Sequence, residues 1–179
     1  RQVRAADLQG LLLRIKPDVV HFSGHGSDAG ELILEDSSGN ARVVSQDALS
    51  TLFSLLKDNL RVVVLNACYS ASQAESIASQ IDCVIGMSDV MGDQAGIAFS
   101  AAFYQAIAYG RDIRAAFGLA CNQVSLEGLA DANVPQLLAS KSDPAQIVLV
   151  SAVTVPSSNN SSGVAAEIDL PASSIGSIG

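Results

Sequence analysis

Apolar positions along the chain fall into two alternating periods, one near 3.6 residues and one of short unbroken runs. Leu8, Leu11, Leu12 and Ile15 share one face at helical spacing, predicting a helix over 5–15 that Pro17 ends. The run Asp18-Val-Val-His-Phe-Ser23 then reads as a strand. Residues 31–36 and 41–45 flank Ser37-Ser-Gly-Asn40, a composition that turns a hairpin. Residues 47–57 read as a helix. Arg61-Val-Val-Val-Leu-Asn66 is a strand apolar on both faces, the pattern of a strand covered by helices above and below.

Downstream, Ser72-Gln-Ala-Glu75 has the spacing of a capping box and predicts a short helix to about Gln80. Residues 82–88 read as another buried strand. Asp93 is placed to cap a helix whose Ile97, Ala98, Phe103 and Ile107 share faces. A helix over 112–127 is expected to stop at Gly128, and Ile147 to Val153 reads as a last buried strand. Pro156 to Gly179 is rich in Ser, Asn and Gly and lacks aromatics, so it reads as linker or disorder, with a short ordered stretch around 166–170. Strands alternating with helices predict an α/β protein: a three-layer α/β/α sandwich around a mainly parallel sheet, with a β-hairpin insertion.

Composition narrows this picture. The 179 residues are the size of one domain, and 49% are hydrophobic, enough for an ordinary core. Aromatics are only 4% and Trp is absent, so small aliphatic side chains have to fill the space between layers. A net charge of −8 with dispersed basic residues excludes nonspecific nucleic-acid binding and an anionic membrane surface as partners. Three cysteines without a CxxC pair point to a reducing, cytoplasmic setting rather than a disulfide framework. The longest apolar run, 147–155, is too short to span a bilayer, and no signal peptide is visible. Because the chain opens on Arg1, an upstream segment of a larger polypeptide is expected.

The candidate chemistry follows from topology. Parallel strands joined by a helical crossover lie side by side, so their carboxyl ends open on one edge of the sheet, where open α/β sheets bind ligands. His25 follows the strand ending near Ser23, and Cys68 follows the strand ending near Asn66. That rim can bring a thiol and an imidazole within reach of one another, with Cys68 as nucleophile and His25 as general base and acid. The helix expected just after Cys68 favours thiolate. Gly24 and Gly26 leave room for a substrate backbone, and the amides of Gly26 and Cys68 form a candidate oxyanion site. A Cys at the end of an apolar strand is most often buried and inert, the reading that competes for Cys68; Cys83, opening a strand, and Cys121, inside a helix, read as core residues, and His21, inside a strand, reads as packed.

Rival chemistries are weaker. Gly24-His-Gly-Ser-Asp-Ala-Gly30 is close to a dinucleotide fingerprint, yet a strand and hairpin follow it where a phosphate loop requires a helix. Two histidines and scattered acids show no metal-ligand spacing, so neither metal nor cofactor is expected.

At these two stretches the chain resembles a known family. His21-Phe-Ser-Gly-His-Gly26 and Val64-Leu-Asn-Ala-Cys-Tyr-Ser70 resemble the paired signatures of CHAT-domain peptidases, relatives of caspases and separases. The likeness runs on through Val84-Ile-Gly-Met-Ser88, Gly92-Asp93, the helix carrying Phe99 and Phe103, and Leu126-Glu-Gly128, covering roughly residues 5–140. It implies a caspase-like fold and a cysteine endopeptidase whose dyad, matched by motif, is His25 and Cys68. It further implies a peptidase core over 1–153 that lacks an upstream strand and helix, with 154–179 as a Ser-rich tail. By the same resemblance, Asn66 lines a specificity pocket, and Asp93 or, less strongly, Asp89 is a pocket acid selecting basic side chains. The implied partners are a protein or peptide substrate and a regulatory sensor domain such as tetratricopeptide repeats. A catalytically silent caspase-like interaction module is the alternative.

Overall fold

The computed structural model describes residues 4–27, 29, 31–36 and 38–151. Helix α1 covers Ala5–Ile15, the predicted span, and buries Leu8 and Leu12. Lys16 then turns left-handed at φ 48°, and Pro17 prevents a further helical turn. Strand β1, Val19–Ser23, leads through the His25 loop to β2, Leu32–Glu35, and β3, Ala41–Val44. The last two pair antiparallel as a separate two-stranded hairpin. Its turn is organised by Asp36, whose carboxylate accepts the amides of Ser38 and Asn40 at 2.8 and 2.9 Å, while Gly39 supplies φ 82°. Helix α2, Gln46–Leu55, is capped by Ser45. Strand β4, Val62–Asn66, helix α3, Ala71–Ala78, and strand β5, Cys83–Met87, follow. Helices α4, Asp93–Ala108, and α5, Ile113–Leu126, and strand β6, Pro135–Leu138, complete the order.

The main sheet runs β1-β4-β5-β6. β1, β4 and β5 are parallel, and β6 is antiparallel on β5. On β4 the side chains alternate between layers. Val62 and Val64 enter a core with Phe99, Phe103, Ile113 and Ala120 of α4 and α5, whereas Val63 and Leu65 meet Leu49, Phe53 and Ile77 of α2 and α3. Helices therefore cover both faces of a mainly parallel sheet, giving the three-layer α/β/α, caspase-like sandwich. Ala95, Ala98, Ala106, Ala116 and Ala120 fill the α4–α5 side, so close approach of backbones replaces aromatic bulk. Among the described residues no helix is long and apolar enough to cross a membrane.

Four local expectations change. Ile147 to Ser151 form no strand: a 3-10 turn at Pro144–Gln146 precedes Ile147, which is buried while its carbonyl accepts the amide of Ile113 at 3.0 Å. Ala152 and Val153 lie outside the described residues. The sheet position beside β5 belongs instead to β6, whose opening Pro135 suits an edge strand. There is no capping box, because α3 begins at Ala71 after Ser70, and the Ser72 hydroxyl accepts from Gln46 instead. Asp93 is not the cap of α4. Gly92 holds that position and Asp93 is the first helical residue. Ile97 is 70% exposed rather than packed with Ala98 and Phe103. By contrast α5 ends as expected: Gly128, at φ 71°, donates to Ser125, and Leu129 donates to Val124, a Schellman closure. The Ser-rich segment from 154 onward lies outside the described residues.

Candidate active site

The register Ser23↔Asn66 ends β1 and β4 level with one another, and Gly24 N–H extends the ladder to the Asn66 carbonyl at 3.3 Å. Two residues beyond each strand end stand His25 and Cys68. Their main chains meet at Gly26: a Cβ there would lie 2.1 Å from the Cys68 carbonyl oxygen. Gly24, in contrast, has nothing within 4 Å of a Cβ. Close approach at one of the two glycines therefore locks the loops together.

After Cys68 the chain reverses sharply. Tyr69 is left-handed at φ 59°, a conformation that costs a non-glycine residue of order 1–3 kcal/mol. The surroundings hold it there. Tyr69 N–H donates to the Asp89 carbonyl at 3.4 Å. The fully buried Ser70 hydroxyl donates to the Leu65 carbonyl at 2.7 Å and accepts from Met87 N–H at 3.0 Å. Cys68 is thus presented on a turn stapled to both β4 and β5.

His25 and Cys68 line one cavity of about 600 Å³ at the carboxyl edge. His25 is exposed and Cys68 half-buried. Among the described residues no hydrogen bond joins their two side chains. The remaining wall comes from the sheet face under α4. His21, Ser23 and Asn66 project from alternate strand positions, and Gly96, Ile97 and Ser100 come from α4. Asn66 Nδ2 donates to the Gly96 carbonyl at 3.4 Å and to the Ser100 hydroxyl at 3.3 Å. A Cβ at Gly96 would meet that amide at 3.2 Å, so a glycine there lets Asn66 face α4.

One turn further along α4, Tyr104 Oη lies 2.9 Å from His21 Nδ1, with the two rings stacked. Burial holds His21 below the ordinary imidazole range and pushes the Tyr104 phenol up to about 12. His21 is thus packed as read, yet it also lines the cavity. Its buried Nε2 has no partner among the described residues.

Asp93 lines the cavity from the first position of α4. Asp89 is exposed, and its carboxylate accepts from Val90 N–H at 2.7 Å; it is not among the lining residues. Gly26 packs beneath Cys68 rather than in the wall. The other thiols are of a different kind. Cys83, fully buried on β5, is pushed up to about 12 by burial and by neighbouring Asp82, and Cys121 is raised by burial. Among the described residues no group of three or more His, Cys, Asp or Glu could hold a metal. Strand β2, not a helix, follows the glycine-rich loop in the chain, so the loop does not open a helix as a phosphate loop does. Sequence reasoning missed His21, Ser23, Gly96 and Ser100 as wall residues. The i, i+4 spacing of Gly96 and Ser100 on the helix after Gly92-Asp93 is the signal that marks them.

A caspase-like sandwich carrying His and Cys at one cavity on its carboxyl edge defines the class of the protein. Comparison with known proteins agrees: the CHAT domain matches residues 2–127, and the chain belongs to the CHAT domain family. A curated relative, a Roc-COR-CHAT protease from an unknown prokaryotic organism, is 25% identical over 117 residues. That match covers 62% of this chain but only 11% of the relative, so it spans a small part of the relative's own length.

Proposed function

We propose that the chain is a cysteine endopeptidase that cleaves protein substrates through a thioester acyl-enzyme. The observation that carries this reading is that His25 and Cys68 line one and the same cavity. Cys68 thiolate attacks the peptide carbonyl, and the amides of Gly26 and Cys68 receive the oxyanion. Gly26 sits opposite Leu32 at a bridge position whose ladder bonds are made by its neighbours, His25 to Ile33 and Ser27 to Glu31. Its amide is therefore not consumed by pairing, which supports that role. Protonated His25 donates to the leaving amine, then as neutral imidazole activates the water that hydrolyses the thioester.

Asn66 and Asp93 are the proposed substrate contacts in the cavity, Asp93 favouring a basic side chain and Asp89 lying outside the wall. Three free thiols suit a reducing, cytoplasmic compartment. The printed name of the relative joins a Roc-COR part to its CHAT protease. We infer a similar arrangement here, with an associated sensor domain controlling a core over 1–153 and a Ser-rich linker beyond it.

The test is intact-mass measurement after incubation with a thiol-reactive peptide probe, beside Cys68→Ala and His25→Ala variants. Labelling confined to Cys68 and at least about 100-fold slower in His25→Ala is expected. Equal labelling with and without His25 would instead favour a silent interaction module, the reading to which the missing His25–Cys68 hydrogen bond lends support.

A further inference from the structure

Among the described residues two polar side chains are buried with no measurable exposure, Ser70 and Gln73, and both lie within five positions of Cys68. Ser70 is used locally, in the turn. Gln73 reaches across to another element. Its Oε1 accepts the Leu32 N–H at 3.1 Å, and its Nε2 donates to the Val44 carbonyl at 3.2 Å. Leu32 and Val44 are opposed residues of β2 and β3, so one amide grips both strands of the hairpin where its ladder opens.

The hairpin needs such a grip. It is not part of the main sheet, its strands are four residues long, and an isolated two-stranded hairpin is marginally stable in water. It also bears directly on the proposed base. Ile33 N–H donates to the His25 carbonyl at 3.2 Å, and Gly26 bridges to Leu32. Gly26 in turn rests on the Cys68 carbonyl. The contacts close a circuit: Cys68 to α3, α3 through Gln73 to β2, β2 to the His25 loop, and that loop back to Cys68. A methionine would fill much the same volume without the two hydrogen bonds.

We propose that Gln73 is a positioning residue: by pinning the β2–β3 hairpin to the helix that follows the nucleophile, it sets the His25 loop against Cys68. This rests on the dyad reading given above, and it adds a residue that touches neither substrate nor dyad. Displacement of a catalytic group by about 1 Å can cost around 100-fold, so a lost tether on the base is expected to register in the chemistry.

The experiment measures alkylation of Cys68 by iodoacetamide in the full chain at pH 6 and pH 9, together with hydrogen exchange at the amides of Leu32 and Ile33. The ratio of the two rates reports help from His25, since the thiolate is the reactive form and a neighbouring imidazolium matters most at acid pH. Four proteins are compared: wild type, His25→Ala, Gln73→Met and Ser50→Ala. The last removes a hydroxyl bond from α2 to the Ser76 carbonyl of α3 without touching the hairpin.

The expected result is a pH 6 to pH 9 ratio lowered about tenfold or more in both His25→Ala and Gln73→Met, unchanged in Ser50→Ala, with faster exchange of Leu32 and Ile33 only in Gln73→Met. A wild-type ratio in Gln73→Met, with His25→Ala impaired, overturns the role of Gln73 and leaves the peptidase reading standing. A wild-type ratio in His25→Ala overturns the dyad itself, and unchanged exchange in Gln73→Met overturns the tether. If Gln73→Met does not fold, the same measurements on Gln73→Glu decide, because that side chain keeps the acceptor for Leu32 and loses the donor for Val44.

Discussion

At the scale of single residues, two glycines two positions apart in the motif do unlike work. Gly26 lies where any Cβ would overlap the Cys68 carbonyl, whereas Gly24 faces open space. Gly26→Ala is therefore expected to push the two loops apart, costing about 1–3 kcal/mol in denaturant unfolding and most of the reactivity of Cys68 toward the peptide probe. Gly24→Ala is expected to fold as wild type. Equal stability of the two variants would contradict the close approach. His21 carries a pH-dependent prediction. Because burial holds its folded-state value below 6.5, the unfolded chain takes up a proton from about pH 6.5 downward before the folded chain does. Its contribution to stability is present above that pH and is lost as pH falls toward the folded value. Melting temperatures of wild type should accordingly fall more steeply between about pH 7 and pH 5 than those of His21→Gln, which cannot titrate. Parallel curves would place the imidazole in solvent. The residue types in this site were legible in the sequence, since Gly-His-Gly and Asn-Ala-Cys each follow an apolar strand. The pairing of His21 with Tyr104 was not, because the two are 83 positions apart and no local period links a strand to a helix across a layer.

At the scale of elements, helix starts separate side chains that look alike in sequence. Asp112 accepts the amide of Ala115 at 2.9 Å and caps α5, so Asp112→Ala should cost about 1 kcal/mol in thermal unfolding. Glu75 has the spacing of a capping partner but sits exposed within α3, where no box forms, and Glu75→Ala should stay within about 0.5 kcal/mol of wild type. The difference has a physical source: Ser70 initiates α3 while its hydroxyl serves β4 and β5, so tertiary hydrogen bonds displaced the local signal. The same competition explains the C-terminal strand. Ile147 to Val150 has strand composition, yet only Ile147 is buried, and Val148 and Val150 are 50% and 42% exposed. A four-residue segment opening on proline took the place beside β5, and composition carries little weight against a filled edge.

At the scale of the whole molecule, stability depends on two cores separated by the sheet. Phe103 is fully buried between α4 and the sheet, its ring 6.0 Å from that of Phe99 and 5.4 Å from that of Tyr104. Few other aromatics are present to close the gap, so Phe103→Ala should cost about 3–5 kcal/mol by urea unfolding. A loss below about 1 kcal/mol would mean that the α4 side is loosely packed. Because Tyr104 also abuts this ring, the cavity wall and the core on that side are one packing unit. Distortion spreading from Phe103 is expected to reach His21 before it reaches the hairpin, which lies across the sheet with Gln73.

The amino-acid sequence by itself determined the element order from α1 through α5, the mainly parallel sheet, the covered strands and the two motifs of the CHAT family, because burial on each face is written as a local period. Tertiary structure alone decided that the two motif loops touch at Gly26, that α4 supplies the cavity wall, that β6 closes the sheet, and that Gln73 reaches the hairpin. Those contacts join residues far apart in the chain, and packing between layers, which has no signature in any single stretch, selects them.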